Sequence, residues 1–126
     1  MEIDIKTLEK NITKLSIGAE KNKKNLLTGE IELDIQNQSK FVETIDILFD
    51  SGKINIIVDM THISYIDSSG LWAIFEGHKK ATEKKGNLLL INPAKDVKRV
   101  LDITKISSKI NIFTSDNDAI QFLNKN

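Results

Sequence analysis

Residues 58–80 read VDMTHISYIDSSGLWAIFEGHKK. The run that leads into them, INIIVDM at 54–60, is apolar and β-branched; a short polar loop follows, then a pattern of helical period. A buried strand, a loop and an amphipathic helix in that order are the first part of a crossover between parallel strands. Two shorter apolar runs downstream, NLLLI at 87–91 and INIF at 110–113, repeat the strand character. Helical patterns fill the gaps. Phe41, Ile45, Leu48 and Phe49 form a stripe, with Ser39 as its expected N-cap and Gly52 just past its end. Asn92 and Pro93 read as a cap and first turn, after which Ala94, Val97, Val100 and Leu101 face one way. Ser115 with Asp118 resembles a capping box for a last helix that buries Ala119, Phe122 and Leu123. Upstream, residues 14–18 and 25–33 read as two edge strands joined by the polar, basic segment 20–24. The expected fold is therefore α/β: a mixed sheet of four to five strands with about four helices packed chiefly on one face.

Composition bounds what such a domain can do. The 126 residues are 40% hydrophobic, enough for one core, and carry neither an internal repeat nor a proline-rich linker, so a single domain over 1–126 is expected. Eighteen basic residues balance eighteen acidic ones, which leaves no net field to hold nucleic acid or an anionic membrane. Cysteine is absent, and with it thiolate metal sites and thiol nucleophiles. Residues 1–10 hold three acids and two lysines without an apolar core, and no membrane insertion is expected; the reading is a soluble cytoplasmic protein.

The chemistry sits where the central strand runs into its helix, at Asp67, Ser68, Ser69 and Gly70. Small polar residues and a glycine there leave the first helical N–H groups open to a side-chain oxygen or an anion. A phosphoryl group on a serine at that point would meet the positive end of the helix dipole. The same four residues are also ordinary capping residues. At about 100° per residue, Leu71, Ile74, Phe75, His78 and Ala81 share the expected inner arc, whereas Trp72 falls with Glu76, Lys79 and Glu83 on the watered flank. The single tryptophan is thus expected to be partly exposed, as an interface anchor would be, the alternative being that it packs under the amino-terminal hairpin.

These residues resemble the STAS domains of bacterial anti-sigma factor antagonists, over roughly 27–123 of the chain. The resemblance is carried by Gly29–Glu30, the V-D-M of 58–60, S-Y-I-D-S-S-G-L at 64–71, the lysines after that helix and the glycine turn at Gly86. It continues through V-K-R-V-L-D-I-T at 97–104 and the S-x-x-x-A-I that opens the last helix. It implies a STAS fold and phosphorylation at Ser68, with Ser69 as second choice; the partner surface expected around that serine contains Glu32, Asp67, Ser69 and Gly70 at the helix start and Trp72, Glu76 and Lys79 on the exposed flank. It also implies the partners: a serine kinase that doubles as anti-sigma factor, and a PPM-type serine phosphatase. Glu32 stands where the family usually has aspartate, Trp72 where a small residue is commoner. The first 25 residues align poorly and are read as an extension or edge strand. A monomer or weak dimer is expected.

Other chemistries find less support. His62 and His78 fall in a loop and on a helix's inner arc, where structural imidazoles are the rule. No phosphate-binding glycine motif appears, and Asp59 and Asp67 lack a third metal ligand, so no catalytic residue, cofactor or metal is expected. Two readings compete with the switch: a structural STAS subunit of a lipid-transport or stressosome-like complex whose serine is never modified, and a small hydrolase using Ser68.

Overall fold

In the computed structural model, which describes residues 1–125, the run at 54–60 forms the central strand, β6 (Asn55–Asp59). It lies in a five-stranded sheet with β1 (Glu2–Glu9), β2 (Ile12–Gly18), β8 (Asn87–Ile91) and β9 (Ile112–Phe113), in the order β1-β2-β6-β8-β9. β1 and β2 are antiparallel; every other neighbouring pair is parallel. The sheet is mixed, with five strands, and four α-helices accompany it: α1 (Gln38–Asp50), α2 (Ser68–Glu83), α3 (Lys95–Ile103) and α4 (Asp116–Asn124).

The alternation of side chains along β6 and β8 explains how both faces are covered. Ile56, Val58, Leu88 and Leu90 point into the larger core with Phe41, Ile45 and Phe49 of α1, Ala73 and Ile74 of α2, and Val97 and Leu101 of α3. Ile57, Leu89 and Ile91 point the other way, onto Ala119 and Leu123 of α4. Three helices thus share one face and α4 takes the other. Ser115 caps α4 as expected, its hydroxyl accepting from the Asp118 N–H at 3.1 Å.

The amino-terminal pairing differs from expectation. Residues 14–18 do lie in a hairpin, but β2 pairs with β1, through a turn at Lys10 and Asn11, and not with residues 25–33. The E-I-D-I-K of 2–6 is itself an alternating half-buried strand pattern, hidden among its charges. Residues 25–33 divide instead into β4 (Leu27–Thr28), which folds back on β3 (Glu20–Lys21), and β5 (Ile31–Leu33). β5 runs parallel to β7 (Ile63–Ile66), within the stretch read as loop, where Ile63 and Ile66 are buried.

Helix starts shift as well. α1 begins after Asn37, and Ser39 lies inside its first turn; Asn37 turns its own Oδ1 to the Asp34 N–H at 3.0 Å. α3 begins after Ala94, which is exposed, because Asn92 adopts φ 54° and its N–H donates to Phe113 O at 3.0 Å, carrying the chain out of β8 before any helix can start. Gly52 follows α1 with φ 90°, the left-handed exit expected of it. After α2 that conformation falls on Lys85 (φ 60°), and Gly86 serves another purpose: a Cβ there would collide with the Ile54 carbonyl oxygen.

Candidate functional site

Asp67 is the N-cap of α2, with extended backbone angles and a carboxylate oxygen that accepts from the Gly70 N–H at 3.0 Å. Its own N–H donates to Leu33 O of β5 at 3.3 Å, and its carbonyl accepts from Leu71 N–H at 3.0 Å. The junction is therefore pinned from both sides. Ser68 is the first helical residue and is exposed, while Ser69 is half-buried. A residue in the first turn has no carbonyl four positions back within the helix, so the N–H groups of Ser68 and Ser69 have no intrahelical partner.

Gly70 has the opposite environment. It is buried, and an added Cβ would run into the Leu33 carbonyl oxygen and sit 2.7 Å from Ile66 Cγ1. Expected on the partner surface, it is buried in the free chain, where it lets the helix start touch the β5 backbone. Glu32, one residue before that contact, is exposed and pairs in register with Tyr65 of β7.

Along α2 the buried residues are Gly70, Ala73, Ile74, Gly77 and Ala81. Leu71, Phe75 and His78, assigned to the inner arc, are only partly buried. The seam turns toward its small residues because α1 lies beside it: a Cβ on Gly77 would come within 2.9 Å of Leu88 Cδ1 and 3.6 Å of Ile45 Cγ2. Lys80 latches the two helices, reaching Asp46 at 3.2 Å and Asp50 at 3.3 Å. The His78 ring lies tilted at 44° to that of Phe75, ring centres 6.3 Å apart, and its pKa is lowered by burial and by the nearby Lys109 charge.

Trp72 is 52% exposed, on the flank expected of it. It lines a groove of about 300 Å³ between α1 and α2 together with Glu76, Lys79, Val42 and Asp46. Trp72, Glu76 and Lys79 are thus brought onto one surface, and Ser68 begins the same helix one turn before Trp72. The far wall was invisible in the sequence, since nothing there pairs α1 with α2. Two exposed apolar residues also flank the junction: Ile35, 69% exposed and two residues beyond Leu33, and Tyr65, 51% exposed and two residues before Asp67. Tyr65 was legible as part of S-Y-I-D; Ile35 carried no signal beyond being an isoleucine in a polar loop. Where the groove meets the start of α1, the Gln38 Oε1 is buried without a hydrogen-bond partner. Among the described residues no group of three or more His, Cys, Asp or Glu converges as a metal site, and no helix is long and apolar enough to cross a membrane.

The STAS domain model matches residues 19–119, and the chain belongs to that family. Among solved structures it is similar to a Thermotoga maritima protein described as a candidate anti-sigma factor antagonist (21% identity, TM-score 0.79, covering 97% of this chain and 94% of that one). It is also similar to the anti-sigma factor antagonist SpoIIAA in its unphosphorylated form (16% identity, TM-score 0.76, 99% and 98% covered). The phosphorylated form of SpoIIAA, from Bacillus, matches at TM-score 0.67 with 16% identity over 95% and 97% of the two chains. At these identities the likeness is one of fold. In sequence, 51 residues are 43% identical to part of a probable sulfate transporter 3.4 of Arabidopsis thaliana; the match takes in 40% of this chain and only 8% of the transporter's length.

Proposed function

We propose that the chain is an anti-sigma factor antagonist that acts in the cytoplasm as a phosphorylation-controlled partner switch. The observation that carries this reading is the position of Ser68: an exposed serine, the first residue of α2, directly after the capping Asp67 and one turn from a half-exposed Trp72. Unmodified, the α2 start and the flank of Trp72, Glu76 and Lys79 bind an anti-sigma factor that is also a serine kinase, and sigma factor is set free. The kinase then transfers the γ-phosphoryl group of its own ATP. Ser68 Oγ forms a bond to phosphorus, the bond to the bridging oxygen of ADP breaks, and the hydroxyl proton leaves to a base of the kinase.

The product gains roughly −1.5 to −2 charges beside Asp67. Within the free protein that charge faces the positive end of α2 and unfolds nothing. Inside an interface it brings repulsion and desolvation of about 3 to 4 kcal/mol, a weakening of two to three powers of ten. A PPM-type phosphatase delivers water to the same phosphorus; the bond from Ser68 Oγ to phosphorus breaks, Oγ regains a proton, and inorganic phosphate leaves. That SpoIIAA, similar in fold, exists in phosphorylated and unphosphorylated forms supports this cycle.

Pull-downs with Ser68→Ala and Ser68→Asp test it. The alanine variant retains the kinase and the aspartate variant loses it, and mass spectrometry of protein from its native cell finds the phosphate on Ser68, with Ser69 the next site to inspect. Equal recovery of the same partner by both variants refutes the switch. The local identity to a transporter favours a second reading, a structural STAS subunit whose serine is not modified; that equal recovery is the result it expects.

A further inference from the structure

The five-stranded sheet ends on two unlike edges. β9 contributes two residues, whereas β1 runs for eight and, among the described residues, has β2 as its one strand neighbour. The outer N–H and C=O row of β1 is thus a template for another strand. Natural edges are blunted by proline, bulges, covering segments or charged side chains such as lysine; β1 has no proline, its register irregularity is confined to the end between Thr7 and Glu9, and the charges at its middle, Asp4 and Lys6, are opposite in sign. Ile5, Lys6 and Thr7 are exposed, Ile5 at 48%.

The charge order along β1 selects the occupant. When two copies of one strand pair antiparallel about a twofold axis, opposed residues must turn the same backbone side outward, so the axis passes at a residue and not between two. Centring on Asp4 opposes two carboxylates, and centring on Lys6 opposes two ammonium groups. Centring on Ile5 sets Asp4 against Lys6 of the partner subunit twice, lays Ile5 against its own copy, and places Ile3 against Thr7. Directly opposed unlike charges stabilise a strand pair and like charges weaken it. Both groups are available: Asp4 meets Lys21 at 3.6 Å yet keeps a side chain 46% exposed, and Lys6 has no ion pair among the described residues.

We propose that β1 is a self-association edge, at which two copies of the chain join β1 to β1 antiparallel about Ile5 and continue the sheet across the twofold axis. One strand per copy is a small contact beside the roughly 1,600 Å² of a standard interface, so the dimer is weak and concentration-dependent. It uses none of the residues around Ser68 and Trp72, and each dimer keeps two open switch surfaces.

Sedimentation velocity over a rising concentration series tests the register. Wild type shifts from monomer toward dimer. Asp4→Lys alone faces two lysines at each pair and Lys6→Asp alone faces two aspartates, and each weakens association by about tenfold or more. The combined variant Asp4→Lys/Lys6→Asp exchanges the signs and regains dimerisation. Lys6→Asp disturbs no ion pair of the free chain, and far-UV circular dichroism confirms that each variant is folded. A wild type that stays monomeric at the highest concentration reached, or a combined variant that associates no better than the single ones, overturns the proposal.

Discussion

At the scale of single residues, Gly70 and Ser68 divide one task. Ser68 carries the hydroxyl, and Gly70 permits the backbone approach that seats the start of its helix on β5. Replacing Gly70 with alanine forces the new methyl against the Leu33 carbonyl and Ile66, and overpacking of that kind costs about 1 to 3 kcal/mol. The expected outcome is a lower urea midpoint for Gly70→Ala with unchanged slope, read by far-UV circular dichroism. An unchanged midpoint would mean that α2 can slide away from β5 at no penalty. The sequence placed Gly70 on the partner surface because D-S-S-G reads as one motif; only the strand lying across it separates the buried glycine from the exposed serine.

At the scale of elements, one small electrostatic cluster ties β2, β6 and α4 together on the side of the sheet that α4 covers. Lys14 of β2 reaches Asp116 at the start of α4 at 3.1 Å and Asp59 at the end of β6 at 3.7 Å, while Ser16 Oγ donates to Asp59 at 3.3 Å. The Asp59 side chain is only 14% exposed, and besides these partners it accepts from the Thr61 N–H at 3.0 Å. Lys14→Ala removes the hydrogen bond to Asp116 and the ion pair beside Asp59, and a destabilisation of about 1.5 to 3 kcal/mol is expected. Chemical denaturation in urea at low and high salt checks this, with the wild-type advantage shrinking only in part as salt rises, since a half-buried pair is incompletely screened. Helix α2 illustrates the limit of periodicity at the same scale. The stripe correctly set Trp72 outward, but the neighbouring α1 turned the buried seam onto Ala73 and Gly77, where a sequence reader looks for large side chains.

At the scale of the whole molecule, stability is graded across the sheet. β6 is flanked by β2 and β8, and its Ile56, Ile57 and Val58 are fully buried on the two faces. β1 and β9 stand at the edges. Amides of β6 are therefore expected to exchange with deuterium slowest, those of β1 and of the β3–β4 ribbon fastest, with the order read by mass spectrometry or NMR. Protection in β1 that rises with protein concentration would add to the case for pairing between copies, because the free chain leaves that edge to water.

What the sequence settled by itself was local: the apolar runs that had to be strands, the α1 stripe that had to face a core, the Ser115 cap, and the strand-to-helix junction that puts Ser68 first in its helix. Each follows from contacts within a few residues, where period and capping chemistry act directly. The pairings were decided by tertiary structure. β1 joined β2, β5 reached across to β7, and α1 closed the groove beside Trp72, because a strand meets its hydrogen-bonding partner and a helix its neighbour according to which distant surfaces remain to be buried, and spacing along the chain does not encode that choice.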